Sequence, residues 1–587
     1  MAAVEQLVTD HLDLWTAAVK RKSAAGLGPS SKIELYGIKK LRELILELAV
    51  RGLLVPQDPN DEPASELLKK IAVEKANLLK AGKINMERSL PPIIEEEKPF
   101  ATPSGWAWVR IADIGYDFGQ TTPNTKFTYI DVGAIDNRLG MIDSPTIISA
   151  EEAPSRARKL VKRGTVIYST VRPYLLNIAI VQEDFDPYPI VSTAFAVVHP
   201  FENISCDYVY RYLRSPSFVS YVERVQTGIA YPAINDKLFF SGLIPLPPTA
   251  EQQRIVAKVD DLMALCDQLE RQTDASRGVH QTLVETLLNS LTSTADHAQF
   301  AGAWQRIAEH FDTLFTTEES VAQLKQTILQ LAVMGKLIPQ DPNDEPASEL
   351  LKKVSAEKTR LVKEGKIRNE KPLPPIGVGE KIFELPTKWA YCRLDAICTG
   401  ITSGSTPPQS EFSENSEVPY LKVYNIRNQE IDFEYKPQFI SKEYNSTKLK
   451  KSILYPGDVV MNIVGPPLGK VAIIPDSHPE WNCNQAIVFF RPAIPSLSKF
   501  IYVYLKTGLF LRNIELIGTA GQDNISVTKS RSIVLPLPPL NEQHYIAAKV
   551  DELMALCDQL KSRLSDAQAT QLNLADALAE KALARAR

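Results

Sequence analysis

The chain has 587 residues, too many for one hydrophobic core, and a length that implies three to five folding units. A hydrophobic fraction of 44% beside 23% charged residues excludes global disorder, and the lack of any apolar run of about 18 residues excludes a membrane-spanning helix. A net charge of −4 argues against a simple basic nucleic-acid coat while leaving room for local patches that read DNA.

The opening stretch, MAAVEQLVTDHLDLW, reads as an acidic helix with neither a cationic n-region nor an apolar h-region, so no secretory signal is expected. Six cysteines without a C-x-x-C pair are too sparse for a disulfide scaffold and imply a reducing, cytoplasmic setting. Further along, Leu41, Leu44, Ile45 and Leu48 form a helical stripe that Gly52 should end. Asp61-Glu62-Pro63 should open a second helix carrying Leu67, Ile71 and Leu78. Beyond Trp106, β-branched and aromatic runs such as 127–135, 164–171 and 194–200 predict strands in a compact α+β domain. Pro245-Leu-Pro-Pro248 closes it, and Thr249 with Gln252 reads as a capping box for a long helix striped by Ile255, Val259, Leu262, Cys266 and Leu269.

The plan then starts again. PQDPNDEPASELLKK stands at 56–70 and, unchanged, at 339–353, an offset of 283 that also relates Leu41 to Leu324, Gly52 to Gly335, Leu90-Pro91-Pro92 to Leu373-Pro374-Pro375 and Trp106 to Trp389. A second repeated block has offset 291: Pro536-Leu-Pro-Pro539, then Lys549-Val550-Asp551 answering Lys258-Val259-Asp260, and LMALCDQL at both 262–269 and 553–560. Asn541 is the expected cap of the second long helix, striped by Ile546, Val550, Leu553, Cys557 and Leu560. Residues 115–230 and 398–520 do not align without gaps, so two differently specialised inserts sit on one duplicated scaffold. The expected fold is α+β with a pseudo-twofold internal repeat. It comprises a helical region at 1–99, a globular domain at 100–248, a long helix and second helical region at 249–383, a second globular domain at 384–539 and a long helix at 540–587. The two long helices, some 40 residues and roughly 60 Å each, should pack as an antiparallel coiled coil. The helices carrying Leu262, Leu269, Leu553 and Leu560 are expected to dock partner subunits through faces other than the stripe.

Catalytic signatures fall away on inspection. Gly465-Pro-Pro-Leu-Gly469-Lys470 resembles a phosphate loop, but its glycines are one residue too close, no hydroxyl follows the lysine, and prolines lack the N–H groups a phosphate needs. It reads as a turn. Neither Asp186-Pro-Tyr-Pro189 nor Asn462-Ile-Val-Gly465 matches an amino-methyltransferase motif. The seven histidines lack ligand spacing, so no metal site is expected, and Cys266 and Cys557 read as packed thiols.

The signals for binding lie in loops. Gly119-Gln-Thr-Thr-Pro123 offers Thr121 and Thr122 beside Lys126; Gly400-Ile-Thr-Ser-Gly-Ser-Thr-Pro-Pro408 offers Thr402, Ser403, Ser405 and Thr406, followed by Lys422, Asn425 and Arg427. Hydroxyls and cations hold phosphates, whereas Arg and Asn read base edges. Arg172 and Tyr174 after a strand, the run Arg156, Arg158, Lys159, Lys162 and Arg163, and Lys448, Lys450 and Lys451 are further phosphate candidates. Residues 106–248 hold 13 basic and 14 acidic side chains, and 391–539 hold 15 and 13, so any grip on DNA must come from sidedness of charge or from partners.

The duplicated block, the Trp106 and Trp389 markers, the Pro-Leu-Pro-Pro…Glu-Gln exits (Glu251-Gln252 and Glu542-Gln543) and the helices that follow resemble, over essentially the whole chain, the specificity subunit of type I restriction–modification enzymes. The resemblance implies a non-catalytic subunit with two target-recognition domains, each reading half of a split, asymmetric site in double-stranded DNA. It also implies two modification subunits carrying S-adenosylmethionine, two restriction subunits using ATP and magnesium, and no cofactor in this chain. A tandem protein-binding scaffold is the alternative that the near-neutral inserts leave open.

Overall fold

The computed structural model describes residues 10–21, 33–84, 90–228, 230–294, 297–412, 417–514, 516–519 and 522–585. The first nine residues of the expected acidic helix lie outside these. Instead of three to five units, the chain forms two compact ones, residues 1–277 with 566–587 and residues 278–565. The reason is shared cores: helices of the preceding region pack into the core of each domain, Leu41, Leu48 and Leu67 in the first unit and Leu329, Leu350 and Val354 in the second.

In the first unit, α1 (Tyr36–Val50) ends at Gly52, whose φ of +72° supplies the left-handed turn, and α2 (Ala64–Lys80) begins after Pro63. One buried cluster runs from Trp15 through Leu41, Leu48 and Leu67 to Trp106, Tyr168, Phe218 and Phe239. The domain opens with β1 (Ala107–Arg110) and β2 (Gly115–Tyr116), continues through β3 (Phe127–Ile130), β4 (Thr146–Ile148), β5 (Ala157–Leu160), β6 (Val166–Ser169), β7 (Ile178–Ile180), β8 (Pro189–Ser192) and β9 (Phe195–Pro200), then α3 (Cys206–Leu213), α4 (Pro216–Val225) and α5 (Asp236–Ser241), and closes with β10 (Leu243–Leu246). Two four-stranded sheets form, in the orders β7-β6-β9-β2 and β4-β3-β8-β5. In the first sheet Val166, Tyr168, Ala196 and Val198 face the large cluster, while Ile167, Phe195 and Val197 face a second cluster with Ile130 and Val191. Burial on both faces explains why these strands read as nearly unbroken apolar runs.

The repeated Trp, Leu-Pro-Pro and Pro-Leu-Pro-Pro-x-x-Glu-Gln marks form one clasp. β1 and β10 pair antiparallel, Ala107 opposite Leu246 and Arg110 opposite Leu243, so the chain leaves the domain beside where it came in. The Trp106 indole N–H donates to Glu251 Oε2 at 2.9 Å, and Gln252 Nε2 donates to the Pro247 carbonyl at 3.0 Å. Buried Arg110 donates to the Pro91 carbonyl, the Ser241 carbonyl and Glu97. The expected capping box is absent: the Thr249 hydroxyl donates to the Asn203 carbonyl, and Gln252 Oε1 accepts from Ser205 N–H at the start of α3. Side chains expected to cap a helix instead tie it to the domain.

The long helix α6 (Thr249–Ser293) starts in the first unit and ends in the second, where α7 (His297–Glu309), α8 (Glu318–Val333) and α9 (Ala347–Lys363) follow. The second domain runs β11 (Ala390–Arg393), β12 (Cys398–Ser403), β13 (Val418–Leu421), β14 (Phe439–Ile440), β15 (Val459–Asn462), β16 (Val471–Ile473), β17 (Asn482–Cys483), β18 (Ile487–Pro492), α10 (Leu497–Lys506) and β19 (Val534–Leu537) before α11 (Leu540–Arg585). Its sheets are β12-β18-β15-β16 and β14-β13-β17, and β11 pairs with β19 as β1 does with β10. The clasp repeats: Trp389 donates to Glu542 Oε2 at 2.9 Å, Gln543 to the Pro538 carbonyl, and Arg393 to the carbonyls of Pro374, Pro375 and Ser532 and to Glu380. Asn541 is not a cap; its amide donates to Asp344 at 3.0 Å.

Within each unit, the start of one long helix shares a core with the end of the other, an order that suits antiparallel helices. In the first unit Ile255, Val259, Leu262 and Cys266 join Leu572 and Ala575; in the second Val284, Leu288 and Leu291 join Leu553, Cys557 and Leu560. The four leucines that mark the partner-docking helices therefore face inward, which leaves the other faces of those helices for partners. Leu262 is 4% exposed, and Leu269, Leu553 and Leu560 pack against their own unit's cluster. The cysteines on these stripes are packed thiols, burial pushing that of Cys266 up to about 11. No described helix is long and apolar enough to cross a membrane.

Candidate nucleic-acid interface

In the first domain the loop between β6 and β7 carries Arg172 and Tyr174. Arg172 sits in the left-handed region (φ 49°), as does Leu176 (φ 52°), and its N–H donates to the Pro232 carbonyl at 2.8 Å. The Ile234 N–H in turn donates to the Thr170 carbonyl, so the 230–234 segment clamps the loop. The clamp lays the Arg172 guanidinium over the Tyr231 ring, 4.9 Å from its centroid. Tyr231 is 69% exposed and Tyr174 52%, an uncommon display for rings. Gly228 (φ +93°) permits it, since a Cβ there would meet the Tyr231 carbonyl oxygen at 2.7 Å. Tyr231 escaped the sequence reading because its only signal was a lone tyrosine before a proline.

The Thr121–Lys126 loop is anchored nearby. The Thr121 N–H donates to the Arg158 carbonyl, and Arg158 donates to the Thr122 hydroxyl at 2.8 Å; Lys126 is exposed. Thr193 N–H to the Arg156 carbonyl and Thr170 N–H to the Ala194 carbonyl join this loop to the Arg172 loop through the turn at 193–194. One phosphate candidate, Lys159, has structural work instead, and Lys162 is exposed beside an aromatic ring. Lys159 is 3% exposed and ties the Phe195 carbonyl to Asp236, and Lys162 lies over the Phe118 ring at 4.8 Å. Beside it, burial pushes the His199 pKa down to about 4, with Lys162 adding to the effect, so this ring is neutral.

The second domain reuses the same clamp with other side chains. Gly465 N–H donates to the Asp523 carbonyl and Ile525 N–H to the Ile463 carbonyl, repeating the Arg172 and Ile234 bonds. Arg172-Pro173-Tyr174 is replaced by Gly465-Pro466-Pro467, and Asn462 braces the turn by donating to the Pro467 carbonyl and accepting from Lys470 N–H. The segment is a turn, as expected. An arginine–tyrosine pair appears elsewhere in this domain: Arg427 lies 4.4 Å from the Tyr435 ring centroid and 3.5 Å from Asp432, with Lys436 5.3 Å above the same ring.

The remaining candidates divide. Asn425 is corrected: it is wholly buried, accepting from Lys422 N–H and donating to the carbonyls of Asp432 and Tyr435, so it shapes the Arg427 hairpin and offers nothing to a base. The expected flexible loop at 400–408 begins as strand: Thr402 and Ser403 are half-buried in β12, paired with Phe489 and Val488, and only 404–408 are irregular. Gly404 follows where a Cβ would fall 1.8 Å from the Cys483 carbonyl oxygen. Ser405 and Thr406 are exposed, the latter bonded to Gln485, and Lys422 lies over Phe412 at 5.2 Å. Among the described residues no group of three side chains could hold a metal ion.

Residues 103–276 and 386–567 match the type I restriction modification DNA specificity domain. The chain is 42% identical to the Escherichia coli type I restriction enzyme EcoAI specificity subunit, covering 99% of this chain and all of that one. It is 41% identical to the EcoEI specificity subunit of the same organism at the same coverage. A crystal structure of the HsdS subunit from Thermoanaerobacter tengcongensis is 25% identical over 83% of this chain and 98% of its own, with a TM-score of 0.42. With two matches that together span most of the chain, each enclosing one clasped domain and the start of one long helix, this protein belongs to the type I restriction–modification specificity family and carries two DNA target-recognition domains.

Proposed function

We propose that each domain reads one half of a split, asymmetric duplex site, that the long helices set the gap between the halves, and that the chain acts in the cytoplasm. The observation that carries this reading is one backbone clamp presenting unlike side chains, Arg172, Tyr174 and Tyr231 in one domain against Gly465-Pro466-Pro467 in the other. Unlike displays on a common frame are what a bipartite, non-palindromic sequence calls for, since arginine reads guanine edges and base contacts rather than phosphate contacts carry sequence. The subunit supplies recognition and no chemistry. Two modification subunits would bring S-adenosylmethionine, and two restriction subunits would bring ATP and magnesium. Because the leucine stripes are buried within each unit, partners would use other faces of the helices.

The test is a methylation map of genomic DNA from cells carrying the full system. With Arg172→Ala and Tyr231→Ala together, bases in one half-site should become degenerate while the other half and the gap persist, each lost base contact being worth about 1–3 kcal/mol of discrimination. An unchanged motif would remove these residues from readout; no chain-dependent methylation at all would remove the DNA reading.

A further inference from the structure

The second domain is close to neutral overall, yet a groove between it and the helix before it is lined by several cations. An open cavity of about 1160 Å³ lies between α9, the segment after it and the start of β12. Lys358, Lys363, Arg368 and Lys451 line it, and the last three are exposed, on two separate stretches of chain, with no ion-pair partner among the described residues. Lys358 donates to the Asp395 carbonyl. Deeper in, Arg531 spans Asp395 and Glu370 at 2.8 Å each, leaving its Nη2 buried without a partner. Thr402 lines the same wall.

The first unit repeats this arrangement only in part: Lys75 and Lys80 stand at the places of Lys358 and Lys363, and Asn85 at that of Arg368. Ala112 and Phe240 stand at the places of Asp395 and Arg531, and its own large cavity balances Lys40, Lys98 and Lys237 with acids such as Glu43, Glu96 and Glu580. The Arg531–Asp395 pair belongs to the second copy alone.

We infer that this groove holds the phosphodiester backbone of the DNA at the second half-site, with Arg531 as a contact that has no counterpart in the first domain. The inference rests on the DNA-reading proposal above. Charges spread along an open groove suit a row of phosphates, and the partnerless Arg531 N–H groups give one phosphate oxygen a buried donor. Such contacts strengthen binding without reading sequence, and each displaces about 0.9 of a counterion.

The experiment uses the full chain purified with its modification subunits and a fluorescent duplex carrying the mapped site, titrated across salt. For Lys363→Gln, Arg368→Gln and Lys451→Gln together, the slope of log affinity against log salt should fall by about 2.7. The wild-type advantage should then shrink about 40-fold between roughly 50 and 200 mM salt, with the methylated motif unchanged. The charge-keeping set Lys363→Arg, Arg368→Lys and Lys451→Arg should retain the slope, which separates charge from folding. An unchanged slope in the glutamine variant overturns the groove while leaving DNA reading intact. A variant that loses ATP binding but keeps its DNA slope also overturns it, in favour of a free-nucleotide site. A wild-type complex that fails to bind the duplex defeats both proposals.

Discussion

Glu542 is the most exacting point in the clasp. It is 3% exposed; Oε2 accepts from the Trp389 indole, while Oε1 has no hydrogen-bond partner among the described residues. Burial, together with the nearby Asp344 carboxylate and against the Trp389 bond, pushes its pKa from 4.5 up to about 7. In the first copy Gln57 donates to Glu251 Oε1 at 2.6 Å and Arg254 stands close by, paired with Asp61; the second copy has Tyr545 at the place of Arg254, and Gln340 turns to the Gly335 carbonyl. A folded-state pKa above the unfolded one means stability that is complete below the unfolded value and is lost as pH rises through the folded value. From 4.5 to about 7, at about 1.36 kcal/mol per unit, the loss is about 3 kcal/mol. Glu542→Gln keeps an acceptor for the indole and removes the titration. Calorimetric unfolding of the full chain should find the variant close to wild type near about pH 5 and more stable near about pH 8, by up to about 3 kcal/mol in the second unit's transition. Glu251→Gln should show a smaller pH-linked gain. A wild-type-to-variant difference for Glu542→Gln that is the same at both pH values would refute the reasoning.

Gly404→Ala sets a Cβ against the Cys483 carbonyl, a backbone atom that cannot swing aside, and should destabilise the second domain by about 2–3 kcal/mol in urea unfolding. Trp106→Phe keeps the packing but strips the donor from buried Glu251, an expected loss of about 1–3 kcal/mol in the first unit's thermal transition, with β1–β10 amides exchanging faster. Leu262→Ala should cost about 2–5 kcal/mol in chemical unfolding, as a core leucine does, and a near-neutral result would return that residue to the surface.

Much of this protein could be read in its residues. The two copies, the helix ends at Gly52 and Gly335, the paired Trp markers and the long apolar stripes all appear as spacing, because helical periodicity and positive-φ glycine are local properties of a chain. Local signals misled where a polar side chain had a distant partner. Thr249 and Gln252 have the pattern of a capping box yet bond to Asn203 and Ser205, and Asn425 has the chemistry of a base reader yet is spent on Asp432 and Tyr435.

Sequence alone determined that one scaffold occurs twice with unlike inserts, since repetition needs no third dimension to be seen. Tertiary packing decided which charges are free. Lys159 and Lys363 are the same residue type on paper, but one is buried against Asp236 and the other stands exposed beside the groove. It also decided which rings are shown: a clamp closed by residues about sixty positions apart is what sets Arg172 on Tyr231 at the surface.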